Sequence, residues 1–240
     1  MEPFQILYED QSYIAINKPA GILVHKTKMS EDKQFVVQLL RDQTGHKIFP
    51  IHRLDRATSG ALIFGKSSEA AGALGVCFQD KKVEKKYLAV TRGFAPEKDT
   101  IDYALSDPET GKEAQEAITH YERLGSSEMP WAIGLRYQTA RFSLLEVELE
   151  TGRRQQIRKH LAHINHPIIG DRRQGDVKQN NYFQQHFQLQ RVLLHAWSLS
   201  FKHPDSGEKI TLVATLDGEF ERMLDLLMLK SYAPLSAYRQ

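Results

Sequence analysis

One cysteine, Cys77, stands among the 240 residues of this chain. No internal disulfide can form, which excludes the disulfide-stapled class and fits a reducing cytoplasm. Cys77 lies in an Ala-Gly-Leu-rich stretch that reads as helix, so a buried structural thiol is expected rather than a nucleophile. No apolar run approaches the ~20 residues that cross a bilayer, and Met1-Glu2-Pro3-Phe4 lacks the basic and apolar regions of a signal peptide. Internal repeats, low-complexity tails, clear linkers and Walker-type phosphate loops are all missing. Net charge is scarce too: 32 Lys and Arg against 30 Asp and Glu leave +2. A polyanionic partner would therefore have to be met by local charge.

Local charge is present. Lys81, Lys82, Lys85 and Lys86 cluster, as do Arg153, Arg154, Arg158 and Lys159. Such patches suit a polyanion, although a run of this kind is also the ordinary signature of a solvated face. With 41% hydrophobic and 26% charged residues, the chain can bury one large core or two small ones.

The pattern along the chain mixes strands and helices. Ile6–Tyr8 and Tyr13–Ile16 read as strands around a polar turn, and Lys18-Pro19-Ala20-Gly21 starts a loop. Ser30 is placed to cap a helix with Glu31 and Asp32 in its first turn, Phe35, Val36, Leu39 and Leu40 inward, and Gly45 at its end. A second helix is expected from Ser68 to about Phe78, with Leu74, Cys77 and Phe78 inward. Val83, Lys85, Tyr87, Ala89 and Thr91 share one face of a period-two strand. Residues 106–113 form a polar loop, Phe142–Glu150 a strand, and Thr151 the cap of a helix with Ile157, Leu161 and Ile164 inward. Residues 174–190, rich in Gln and Asn, read as a long loop. His195, Trp197, Leu199 and Phe201 alternate as a strand, Ile210–Val213 is another, and Phe220, Met223, Leu224 and Leu227 mark a final helix. Irregular mixing with hairpin-like turns points to an α+β fold with a largely antiparallel sheet.

The densest chemistry is in Ile51-His52-Arg53-Leu54-Asp55-Arg56-Ala57-Thr58-Ser59-Gly60. A carboxylate stands between two arginines on a turn-prone connection leading into the strand-like Ala61–Phe64. On pattern alone, Asp55 is either a placed acid or a surface ion-pair partner of Arg53 or Arg56.

His52-Arg53-Leu54-Asp55-x-x-Thr58-Ser59-Gly60 resembles the signature of the RluA-type pseudouridine synthases. Lys18-Pro19-Ala20-Gly21-Ile22-Leu23-Val24-His25 resembles that family's first motif, and Lys86-Tyr87-Leu88-Ala89-Val90-Thr91-Arg92-Gly93 the strand after its catalytic loop. Thr151–His160 resembles its third motif, followed by His166-Pro167-Ile168-Ile169-Gly170-Asp171. The matches keep the family's order. The resemblance implies a pseudouridine synthase catalytic fold: a bent, largely antiparallel mixed sheet flanked by helices, with an RNA-binding cleft. It implies one catalytic domain over residues 1–240, without an N-terminal S4-type RNA-binding domain.

Isomerising uridine to pseudouridine breaks the N1–ribose bond and rejoins the ribose through C5. No atom is gained and no redox change occurs, so a carboxylate suffices, with no cofactor and no metal. The resemblance gives that role to Asp55, without deciding between attack on ribose, attack on base and removal of a sugar proton. It makes Arg158 the ion-pair partner that opposes the protonation burial would favour, and Tyr87 the ring that stacks on the base and assists loss of the C5 proton. Ile157 packs near the base. Arg53 inserts where the extruded base was, while His52, Arg56, Lys86 and Arg153 complete the RNA-contacting set, and the lysine and arginine clusters neutralise phosphates. Gln155 stands where relatives usually have His, which keeps hydrogen bonding without charge. His160, His163 and His166 lack diagnostic metal-ligand spacing and are taken as packing or phosphate-contacting residues.

Glu128-Met129-Pro130, the Arg136-Tyr137-x-Thr139-x-Arg141 run and Gly170-Asp171-x-x-x-Gly175-Asp176 lean toward family members acting on uridine 65 of tRNA. A synthase acting on ribosomal RNA, a non-catalytic RNA-binding or chaperone protein, and a hydrolase using Asp55 are the competing readings. The expected protein is a cytoplasmic monomer with tRNA as partner, no membrane association and no obligate protein partner.

Overall fold

Secondary structure in the computed structural model, which describes residues 3–26, 34–107, 111–134 and 137–238, follows the hydrophobic periodicity closely in most places. The chain runs through β1 (Gln5–Glu9), β2 (Tyr13–Lys18), α1 (Val36–Thr44), β3 (Phe49–Pro50), β4 (Ser59–Gly65) and α2 (Ser68–Gln79). Then come β5 (Glu84–Arg92), β6 (Lys98–Asp102), β7 (Leu105–Asp107), β8 (Lys112–Gln115), β9 (Ile118–Met129) and β10 (Ala140–Leu149). Last are α3 (Gln156–His163), α4 (Val177–Phe187), β11 (Leu194–Lys202), β12 (Lys209–Val213) and α5 (Gly218–Leu226). The class is α+β with predominantly antiparallel strand pairing. No helix among the described residues is long and apolar enough to cross a membrane.

The residues group into two compact units, one of Met1–Lys85 with Ala196–Thr215 and one of Lys86–His195 with Leu216–Tyr238. In the first, β1 pairs with β2 and β2 with β4, both antiparallel, and β12 pairs with β11. Gly60, at φ +116°, lets the Ala196 backbone approach so closely that a Cβ there would overlap its carbonyl. The core is Tyr13, Ala15, Ala61, Ile63, Leu74, Leu199, Phe201 and Leu212. Ser67 caps α2 by accepting from the Ala70 N–H, and Leu74 is the buried anchor of that helix. Cys77 is only partly buried and packs against the core edge. Gly45, left-handed, ends α1 through a bond to the Arg41 carbonyl. The expected Ser30 cap and its acidic turn lie outside the described residues.

In the second unit the antiparallel order is β5-β10-β9-β6, with β7–β8 as a separate hairpin. Every residue of β5 from Tyr87 to Thr91 is buried, so both strand faces are covered, the one shared by Tyr87, Ala89 and Thr91 and the one opposite.

Two expectations are corrected. Residues 174–190 are not a long loop, because α4 occupies most of them. Asp176 caps it, its carboxylate accepting from the Gln179 N–H, and left-handed Gln188 closes it. Phe183 is fully buried, with ring centroids 5.5 Å from Phe142 and 6.1 Å from Trp131. Composition hid a helix whose stability comes from one aromatic face. Nor does Thr151 cap α3. The helix begins at Gln156 after a left-handed Gln155 (φ +55°). Thr151 Oγ1 instead accepts from the Ile118 N–H at 2.9 Å and donates to Gln156 Oε1 at 2.8 Å.

Candidate active site

In the first unit, Asp55 lies on the connection from β3 to β4. Leu54 is buried and pins that connection to the core. The Asp55 carbonyl accepts from the Thr58 N–H at 3.1 Å, closing a turn around the acid. Beneath the turn is Lys18, the last residue of β2 and the register partner of Gly60. It is fully buried, and its ammonium donates to the carbonyls of Thr58 (2.7 Å), Pro19 (2.9 Å) and Arg56 (3.4 Å). The Gly21 N–H donates to the Arg56 carbonyl at 2.7 Å, and Arg56 Nε returns a bond to the Gly21 carbonyl at 2.9 Å. Residues 18–21 and 55–58 are thus laced together, which fixes the backbone on either side of Asp55. In the sequence Lys18 reads only as a loop start inside a family motif.

His52 is held from two sides. Its ring stacks on Phe78 at 4.6 Å, and its Nε2 accepts from the Ile63 N–H at 3.2 Å. Burial, with the charge of Lys85, pushes its pKa down to about 3, so the ring is neutral. These contacts anchor the β3–β4 connection three residues ahead of Asp55. Arg53 is exposed; after burial, its charge is the second cause lowering the His25 pKa.

In the second unit, Tyr87 projects from β5 opposite Val147 and is 8% exposed. Neighbouring Lys86 pairs with Glu146 at 2.7 Å. Ile157 and Arg158 are buried in the first turn of α3. Arg158 meets Asp171 with a two-pronged ion pair, Nε to Oδ2 at 2.6 Å and Nη2 to Oδ1 at 2.7 Å, with side-chain exposures of 6% and 1%. Oδ1 also accepts the N–H groups of Arg173 (3.0 Å) and Gln174 (3.1 Å). Burial alone would raise the Asp171 pKa. The bonds and charge of Arg158, helped by those two N–H groups, outweigh it and hold the carboxyl below its ordinary value.

The start of α3 has its own lock. The buried Gln156 amide accepts from Thr151 Oγ1 and the Arg153 N–H, and donates to the Ile118 carbonyl and Thr119 Oγ1. Arg153 itself is exposed, with Nε bonded to the Glu116 carbonyl. The three histidines go separate ways: His160 bonds the Tyr103 carbonyl, His163 stacks on the Tyr103 ring, and His166 bonds the Arg92 carbonyl. Lys18, Gln156 and Asp171 are the supporting residues that the sequence did not single out. Their places inside the quoted motifs are their only signal in the sequence.

Each unit therefore presents reactive side chains on rigid elements: an acid on a laced turn in one, and a tyrosine and a buried arginine on a strand and a helix in the other. Such rigidity suits chemistry that needs positioned groups. The family model for RNA pseudouridylate synthase matches residues 12–163. The chain belongs to the RNA pseudouridylate synthase family. It is therefore an RNA pseudouridine synthase, an isomerase. It is 46% identical to tRNA pseudouridine synthase C of Haemophilus influenzae, covering 92% of this chain and 96% of that one. The protein of the same name from Yersinia pestis is 42% identical over 96% of this chain and 93% of its own. Two solved structures share the fold at 24% identity. Human RNA Pseudouridylate Synthase Domain Containing 1 has a TM-score of 0.70 and covers 97% of this chain and 90% of that one. Domain Containing 4 has a TM-score of 0.71 and covers 93% of each. Asp55, Tyr87, Ile157 and Arg158 all fall within the span matched by the family model of this synthase.

Proposed function

We propose that this synthase isomerises uridine 65 of tRNA in the cytoplasm, with Asp55 as its catalytic carboxylate. The observation that carries the reading is the 46% identity, over nearly the whole of both chains, to a protein named tRNA pseudouridine synthase C. The family match runs through residues of both units, which supports treating them as one catalytic domain. In the proposed reaction the bond from uracil N1 to ribose breaks and a bond from C5 to the same carbon forms. The proton at C5 is lost to water and N1 ends protonated, so the reaction balances without cofactor or metal. Arg158 is the ion-pair partner proposed for Asp55, and Tyr87 stacks on the base and helps remove the C5 proton. Arg53 occupies the place of the extruded base. Ile157 packs against the base, while His52, Arg56, Lys86 and Arg153 line the RNA path.

The test uses tRNA tritiated at uracil C5, without added metal. Tritium release mapped to position 65, absent in Asp55→Asn while RNA binding persists, is the expected result. Turnover retained in Asp55→Asn would remove that residue from the chemistry, and release from ribosomal RNA alone would overturn the substrate.

A further inference from the structure

The second unit carries a built cleft that the reaction chemistry does not use. It holds about 210 Å³ and lies between the strand Leu105–Asp107 and the start of α3. Three bonds tie the two edges together: Arg154 to Asp107 at 3.3 Å, Lys159 Nζ to the Ser106 carbonyl at 2.9 Å, and His160 Nε2 to the Tyr103 carbonyl at 2.9 Å. Arg153, Arg154 and Lys159 line it against two carboxylates, Asp107 and Glu113. Among the described lining residues the excess charge is positive, although the chain as a whole is nearly neutral. A Cβ on Gly152, at the rim, would meet nothing within 4 Å, so the backbone there is open to a ligand. The volume falls below the roughly 300 Å³ at which pockets for whole small molecules begin, and it suits a phosphate with part of its sugar.

A second observation points the same way. At the far end of the same two edges, Tyr103 and His163 stack face to face, with centroids 3.8 Å apart and planes 17° from parallel. Tyr103 is 46% exposed and His163 is exposed. His163 lies one helical turn beyond Lys159 on α3, so cations and rings follow one stripe. Cations that track a backbone beside flat rings that accept bases are the elements of nucleic-acid binding without sequence readout.

We infer that this stripe is an RNA contact: the cleft grips a backbone phosphate, and the Tyr103–His163 pair supports the adjoining base or ribose. The inference rests on the proposed RNA substrate; it gives the phosphate role expected of the Arg153–Lys159 cluster a defined cleft and adds the Tyr103–His163 pair.

Unmodified tRNA transcript is titrated against full-length Lys159→Gln, Lys159→Arg and Tyr103→Leu across a salt series, with turnover measured at saturating RNA. Lys159→Gln is expected to weaken binding about tenfold and lower the log–log salt slope by about one, while Lys159→Arg keeps the slope. Tyr103→Leu is expected to weaken binding severalfold with the slope unchanged, because stacking releases no counterions. Saturated turnover stays at the wild-type value in all three. Wild-type affinity and slope in Lys159→Gln and Tyr103→Leu, with the wild type active, would overturn the cleft alone. An inactive wild type would instead overturn the proposed function. Loss of turnover at saturation would assign these residues to the reaction rather than to RNA docking. Unchanged thermal melting of each variant separates lost contact from lost fold.

Discussion

Lys18 in one unit and Arg158 in the other are both buried cations beside residues given to the reaction, yet they are held by different chemistry. Lys18 gives its three described bonds to main-chain carbonyls, two of them within three residues of Asp55. Arg158 meets a carboxylate edge to edge. A carbonyl cage uses dipoles that the backbone supplies anyway and that no pH removes. A carboxylate gives a stronger, planar grip, but one that depends on ionisation. The compact ammonium suits a cage lacing two loops. The flat guanidinium suits a role in which one edge is fixed and orientation matters.

The largest effect expected from breaking this contrast is in Asp171→Asn. It leaves the Arg158 charge buried opposite a neutral amide, which should cost about 3–5 kcal/mol. Denaturant unfolding followed alongside turnover checks this, and a cost below 1 kcal/mol would mean that Arg158 finds other compensation. Lys18→Met comes next. Arg56 O keeps its bond from Gly21, so the carbonyls of Pro19 and Thr58 bear most of the loss, about 2–3 kcal/mol. Turnover should fall tenfold or more with KM nearly unchanged, because the turn carrying Asp55 loosens. A purely thermal defect with normal kcat would deny Lys18 any influence on the acid.

Acid titration gives the most selective effect. Asp171 has a lowered folded pKa, so its contribution is complete above its unfolded value of about 3.9 and fades as pH falls through and below it. His52 is neutral in the fold, with a pKa of about 3 against an unfolded value near 6.5, so its contribution is complete above 6.5 and declines as pH falls toward 3. Stability measured against pH should therefore flatten between 6.5 and 4 in His52→Gln, and below 4 in Asp171→Asn.

Sequence pattern placed much of the frame. Paired apolar runs marked β1, β2 and β4, alternation marked β10 and β11, and helical spacing marked α2 and α5, with Gly45 ending α1. These are local signals, carried by residues within one turn or one strand of each other. β9 was missed, a 12-residue strand whose polar residues mask its alternation. α4 was missed because Gln and Asn dominate its composition, and Thr151 was given a local capping role when its partner is the Ile118 N–H, 33 residues away.

The sequence by itself determined the chemistry on offer. A carboxylate between arginines on a turn, and the order of motifs around it, are properties of neighbouring residues and need no fold to be read. Only the tertiary structure decided what holds those groups still. Lys18 reaches Thr58 across 40 residues and Arg158 reaches Asp171 across 13. Burial is what turns each of these contacts from a weak surface interaction into a fixed one, since a charge removed from water must find its partners within the fold.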